Sequence, residues 1–266
     1  MDKTEAVQLL RRSVREWFDY RIANPVWMPD LSGADLSGAD LSGADFRGGN
    51  CQGTDFSNCN LDGATFRNAQ CQRATFQGAS CEGADFSFCD LQHSRFGLGV
   101  GSFGSGTAKC QAVNFTGAKL TDTRFGSVDC SRANFDDADL NQAQFVDANL
   151  HGATFRRSQC YGTRLERANL SQSDFTGAQF LANPFLNAIA HGAGLSTANV
   201  SGAIFDQDFE ADWERSGVEI EKTSERSLLA DVDRMAREAG LPPIGTDVRP
   251  TKERTRGKKR WWEWWK

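Results

Sequence analysis

The side chains in this 266-residue chain best able to do covalent or metal chemistry are three histidines and eight cysteines. His93, His151 and His191 have no nucleophile and carboxylate at a spacing that would assemble a proton relay. Cys51, Cys59, Cys71, Cys81, Cys89, Cys110, Cys130 and Cys160 include no Cys-x-x-Cys pair, so a zinc site is not predicted. Gly99 to Gly104 reads Gly-Val-Gly-Ser-Phe-Gly and matches the dinucleotide pattern Gly-x-Gly-x-x-Gly. No βαβ unit surrounds it, and no helix follows to hold a pyrophosphate. The chemistry inventory therefore predicts no catalytic residue, no cofactor and no metal.

The cysteine spacing points to what positions these residues. From Leu31 to Phe96 every fifth residue is Leu, Phe or Cys, and the residue two places earlier is almost always Ala, Gly, Thr, Cys or Ser. Ala34-Asp35-Leu36-Ser37-Gly38 is followed at once by Ala39-Asp40-Leu41-Ser42-Gly43. A period of five fits neither an α-helix nor a flat strand. It marks a backbone unit that turns a corner every five residues, and so a solenoid. Six cysteines sit at the large central position; Cys59 and Cys89 sit at the small one. Both positions point inward, and the other three point out.

These units resemble the pentapeptide-repeat family, written A(D/N)LXX. The resemblance covers about two thirds of the chain. It implies an all-β solenoid, a right-handed quadrilateral β-helix with one pentapeptide per side. Central residues twenty apart then stack. Phe56, Phe76 and Phe96 follow Leu36 on one side, and Phe46, Phe66 and Phe86 form the opposite ladder. Leu and Cys fill the other two sides, as large-against-small packing of a narrow lumen demands. Phe115, Phe125, Phe135, Phe145 and Phe155 extend the core after a break. Coils should repeat about every 4.8 Å, giving a rod on the order of 40 Å long. Inward Thr54 and Ser94 need backbone partners for their hydroxyls. Stacked Cys51 and Cys71, and Cys110 and Cys130, are read as reduced buried thiols, because no secretion signal points to an oxidising compartment.

Phe96 and Cys110 are fourteen residues apart, so the glycine-rich stretch 97–109 is predicted to leave the rod as a loop, with the coils re-entering in register. Ser102, Phe103 and Lys109 are its partner-contact candidates. In topoisomerase-protecting members of the resembled family such loops are functionally important.

Four segments are expected: a capping helix and leader at 1–30, the repeat rod at 31–205, an acidic segment at 206–248, and a basic tail at 249–266. Residues 4–20 read as one amphipathic helix, N-capped by Thr4, with Val7, Leu10, Val14, Trp17 and Phe18 on its apolar face. Asn183-Pro184 predicts a bulge or loop in a degenerate coil. Residues 224–239 read as a helix that caps the rod, joins two rods as a homodimer, or docks a partner. From Asp206 to Asp247 there are twelve carboxylates against five basic residues. The tail adds Trp261, Trp262, Trp264 and Trp265 among basic residues. Such a tail suits, in order, a protein groove, a membrane interface or single-stranded nucleic acid.

The expectation is a cytoplasmic, non-enzymatic rod that binds proteins. A second reading is a duplex mimic acting on a type II topoisomerase, as the resemblance allows. Its weakness is charge: residues 31–205 hold sixteen acids against twelve bases, a thin field for a duplex mimic. A third is a membrane-peripheral adaptor working through the tail.

Overall fold

A computed structural model describes residues 1–97, 106–165 and 167–180, with the backbone of 204–205. Each pentapeptide supplies one parallel bridge and one turn. Asp30 pairs with Asn50, Asp35 with Asp55, Asp40 with Asn60 and Asp45 with Thr65. Four successive units thus each meet a partner twenty residues on, which makes the coil four-sided. The bridging continues to Gln159 and Gln179.

The turns explain the repeat letters. Each central carbonyl accepts the N–H three residues on, as Leu31 does from Ala34 at 2.9 Å. Among the described residues the third turn residue is left-handed at every uninterrupted corner from Gly33 to Gly177, with φ between +55° and +74°. Glycine relieves that geometry where it occurs, but fifteen corners carry a side chain. The acidic or amide residue before the centre caps the turn: Asp35 accepts from Ser37 N–H at 2.9 Å, and Asp55 from Ser57 N–H at 2.8 Å. Such Asx turns are local alternatives to backbone pairing. Ser80, Thr154 and Gln159 stand where that cap is missing. There a residue of the preceding coil reaches across. Asp62 accepts from Glu82 N–H, Asp136 from Arg156 N–H and Asn141 from Tyr161 N–H, at 2.8, 2.9 and 3.1 Å.

Phenylalanine rings fill two facing sides as expected. Along a ladder they lie parallel: Phe56 and Phe76 are 5.1 Å apart with planes 8° from parallel. Across the lumen they meet edge to face, Phe66 and Phe76 at 5.9 Å and 85°. Both arrangements suit the ring quadrupole. Phe46, Phe56, Phe66, Phe76, Phe86, Phe96, Phe115, Phe125, Phe135 and Phe145 are all fully buried, and Phe155 is nearly so. The inward Thr54 hydroxyl donates to Leu31 O at 2.7 Å, as predicted. Ser94 departs from the expectation: its hydroxyl is buried with no partner.

The coils re-enter in register as predicted, but the predicted bounds 97–109 are too wide: Ala108 is buried in the core and Lys109 is a bridge residue of the coil, not of the loop. Ser80 bridges Lys109 and Arg95 bridges Arg124, twenty-nine residues on instead of twenty. Nine residues have been inserted without loss of register.

The N-terminus departs from the single helix predicted. Helix α1 spans Lys3–Arg12 and helix α2 spans Val14–Ala23. Ser13 is extended and serves both, closing α1 and N-capping α2 through Glu16 N–H. The N-cap of α1 is Asp2, not Thr4, in a capping box with Glu5. A side chain that can close such a box outcompetes a threonine placed inside the first turn. Ala6, Leu10 and Trp17 join the core of the rod, and Trp17 donates to Asp45 O at 2.8 Å. The pair of helices covers an open coil edge, as a repeat array requires. Phe18, expected on the apolar face, is 47% exposed, because the break at Ser13 re-phases α2.

Strand β1 (Gln179–Phe180) pairs in parallel with β2 (Ile204–Phe205), Gln179 against Ile204. Twenty-five residues separate the partners, five more than a coil. The five-residue frame is kept through Phe205, and the longer interval contains Asn183-Pro184, where a bulge or loop is expected. Ser102 and Phe103, the segment 206–248 and the Trp tail lie outside the described residues.

Candidate interaction surface

The interior offers packing, not chemistry. All eight cysteines are buried and unpaired in disulfides. The hydrogen bond that the Cys51 thiol donates to Cys71, then burial, drives it well above its usual range; Cys81 is raised likewise by its bond to Cys110 and by burial. Burial pushes Cys59 up to about 11 and Cys160 up to about 12. Such thiols are poor nucleophiles and poor metal ligands. Among the described residues no cluster of His, Cys, Asp and Glu could hold a metal ion. One contact escaped sequence reasoning. His151 Nδ1 lies 2.8 Å from Ser171 Oγ, twenty residues away, because stacking brings equivalent positions together. Ser171 also donates to Asn169, at 2.7 Å. Among the described residues no carboxylate backs the imidazole, so the pair lacks the third group of a relay.

The exterior carries charge in stripes. Along one side the bridge positions run Asp35, Asp55, Thr75, Arg95, Arg124, Gln144, Arg164. That line passes from acidic to basic. Lys109 is exposed between Ser80 and Asp129, beside the inserted loop. Many carboxylates are already engaged. Hydrogen bonds from Arg157 and Arg167 hold Asp137 and Asp147 below the usual carboxylate range. These arginines reach one coil back, at 2.6 Å in each pair.

One corner differs. Phe88 occupies a left-handed corner at φ +55° and is 52% exposed. The other described left-handed corners carry glycine, alanine or polar residues. A bulky L-residue pays about 1–2 kcal/mol there. Its ring is braced on both sides. The Arg67 guanidinium lies 5.5 Å from the ring centroid, within cation–π range. Gly117 of the next coil lies against the other side, where a Cβ would come within 2.7 Å of the ring.

Arg67 and Asn68 also line a cleft of about 600 Å³ with Arg21, Ile22, Pro25, Met28, Asp45, Arg47 and Gly48. Ile22 and Met28 are 63% and 57% exposed. Arg21 is 8% exposed; it donates to Trp27 O and Arg47 O, and its Nε lies 3.6 Å from Asp45. Burial pushes the Asp45 carboxyl up, but hydrogen bonds from Arg47 and the charge of Arg21 outweigh it and leave it low. Sequence reasoning missed this cleft. The sequence signal nearest to it is Phe88, beside Arg67, at a position whose other described corners hold glycine, alanine or polar residues.

The repeats decide the kinship. A family model described as pentapeptide repeats matches eight copies, over residues 30–63, 64–97, 108–143 and 153–181. The chain belongs to the pentapeptide-repeat family. This pentapeptide-repeat protein is similar to HetL, a protein involved in heterocyst differentiation regulation from the cyanobacterium Nostoc sp. strain PCC 7120. They share 25% identity over 68% of this chain and 76% of HetL, with a TM-score of 0.42. It is also similar to QnrB1, a plasmid-mediated fluoroquinolone resistance protein, at 21% identity over 71% of this chain and 85% of QnrB1, TM-score 0.37. Rfr23 from the cyanobacterium Cyanothece 51142 shares 15% identity over 73% of this chain and all of Rfr23, TM-score 0.22. No curated protein matches the chain. The family assignment rests on the repeats alone.

Proposed function

We propose that this pentapeptide-repeat protein is a non-enzymatic scaffold for protein–protein interaction, working in the cytoplasm. One observation carries the reading: the lumen of the rod is filled by close-packed rings and small side chains, so only the exterior can meet a ligand. A rigid rod with a covered N-terminal edge presents long, repeating faces, which suits recognition of another macromolecule. The test is affinity purification of the full chain from its host under cross-linking. A protein partner retained at stoichiometric level, and lost on changing outward residues, supports the scaffold. Turnover of a small molecule with no partner retained would overturn it.

The duplex-mimic reading is weaker, because the line from Asp35 to Arg164 reverses sign along the rod. Gyrase supercoiling with and without the protein decides it: inhibition, or protection from a topoisomerase poison, would make the type II enzyme the partner. Pelleting with anionic liposomes that requires residues 257–266 would instead support the membrane-adaptor reading.

A further inference from the structure

We propose that the stripe from Ile22 and Met28 through Arg47 and Arg67 to Phe88 is the docking surface for an acidic segment of a partner protein that carries large apolar side chains. The inference rests on the scaffold reading and gives it an address and a partner chemistry.

The first support is Phe88 itself. Among the described left-handed corners from Gly33 to Gly177 it is the only apolar residue larger than alanine. Backbone strain retained at an exposed position points to a use for the side chain. The ring is held between Arg67 and Gly117 before any partner arrives. A pre-positioned aromatic loses little freedom on binding, which is how an interface anchor gains affinity.

The second support is the neighbouring cleft. Its walls combine exposed apolar Ile22, Pro25 and Met28 with three arginines, Arg21, Arg47 and Arg67, against the single carboxylate Asp45. Arg47 and Arg67 occupy equivalent positions on successive coils, with Gly48 N–H donating to Arg67 O at 3.0 Å. Asp45 takes a forked pair of hydrogen bonds from Arg47, at 2.9 and 2.8 Å. Among the described residues no carboxylate pairs with Arg67. Two adjacent guanidiniums, one of them unmatched, favour an incoming carboxylate. The apolar walls favour a peptide over a nucleic acid, since a single exposed ring is not the series of stacking platforms that strands use.

The experiment uses the full-length protein and fluorescence anisotropy. The probe is a labelled sixteen-residue peptide of Leu, Trp and Glu; controls are its Gln and Lys counterparts and an oligothymidylate. Wild type should bind the Glu peptide, more weakly as salt rises, and discriminate against the controls. Phe88→Gly should weaken binding at least about tenfold, the scale of an anchor residue. Its melting temperature should not fall, because glycine relaxes the corner. Arg67→Glu, a surface change, should weaken the Glu peptide and favour the Lys peptide. The proposal is overturned by no binding of the Glu peptide, by equal binding to wild type and both variants, or by preference for the oligothymidylate. Self-association of the full chain that disappears in Phe88→Gly also overturns it, by assigning the stripe to a second copy. If a cellular partner is captured equally by wild type and both variants, the scaffold stands and this surface falls.

Discussion

Phe66 lies flat on Phe86, ring centroids 4.5 Å apart and planes 6° from parallel, although twenty residues separate them. The lumen is a stack of such pairs, so removing one ring leaves a gap that its neighbours above and below cannot close. Phe66→Ala should cost roughly 3–5 kcal/mol in urea unfolding, the range for a buried aromatic. Gln72→Ala, on the outward side, should cost under about 0.5 kcal/mol. Equal losses would contradict the inward and outward assignment.

The ladder of Phe46, Phe66 and Phe86 was legible in the sequence because a coil of twenty residues maps spacing directly onto contact. The Asx caps were half legible. The repeat's Asp or Asn showed where a cap belongs, but the substitution of Asp62 for the missing cap at Ser80 depends on the neighbouring coil. The N-terminal break was hidden. Val7, Leu10, Val14 and Trp17 fit one helical face, and nothing in that periodicity shows that Ser13 leaves the helix to cap the next one. The cleft near Phe88 was hidden for a related reason. It joins helix α2 to coils more than twenty residues away, and only the docking of the helices brings Ile22 and Met28 to Arg67.

The corners predict paired substitutions of opposite sign. Ala112 sits at φ +55° and Gly53 at φ +64°, in equivalent turns. A Cβ at Gly53 would meet nothing within 4 Å, so its effect is conformational alone. Ala112→Gly should raise stability by about 0.5–1 kcal/mol, and Gly53→Ala should lower it by about 1 kcal/mol. Thermal melts of the two variants measure this. A fall in both would mean that glycine's flexibility in the unfolded chain outweighs the strain of the corner.

Acid should destabilise the rod through named carboxylates. Arg157 and Arg167 lower the Asp137 and Asp147 carboxyls, and at Asp45 the Arg47 and Arg21 contacts prevail over burial. A depressed folded-state value stabilises above the unfolded carboxylate range, and that stability is lost as pH falls through the folded value. Melting temperature should hold between about pH 5 and 7 and decline below about pH 4, where free aspartates titrate. Asp45→Asn should melt lower at pH 7 and show a shallower acid slope. An unchanged slope would remove Asp45 from the account.

Alkali should act through the thiols, with the opposite sense. Folded values raised to about 11 at Cys59 and about 12 at Cys160 keep these groups neutral. Their contribution is fully present below the unfolded thiol value and disappears as pH rises through the folded one. Stability should therefore begin to fall above about pH 9. In native protein near pH 8 all eight buried cysteines should resist a thiol-specific chromogenic disulfide, and react together on unfolding in urea. Rapid reaction of even one in the native state would show that its coil opens locally.

The inserted loop interrupts a turn without breaking it. Ala108 N–H donates to Phe96 O at 2.8 Å, the same bond that Ala34 makes to Leu31 in an unbroken corner. Thr107 and Ala108 thus complete the turn that Phe96 and Gly97 begin. Removing residues 98–106 would join Gly97 to Thr107 and restore a five-residue step from Phe96 to Cys110. The bond across the base already exists, so the deletion asks for no new packing; the left-handed corner that Thr107 must then adopt costs about 1–2 kcal/mol, offset in part by a loop-length gain of about 1 kcal/mol or less. The shortened protein should melt within a few degrees of wild type and keep its parallel Phe96–Phe125 pair, now 4.9 Å apart. Lost partner binding in that folded variant would place a contact on the loop that carries Ser102 and Phe103. Retained binding would confine recognition to the coils and the ends. Collapse of the fold would show that the corner at Gly97 cannot close without the insertion.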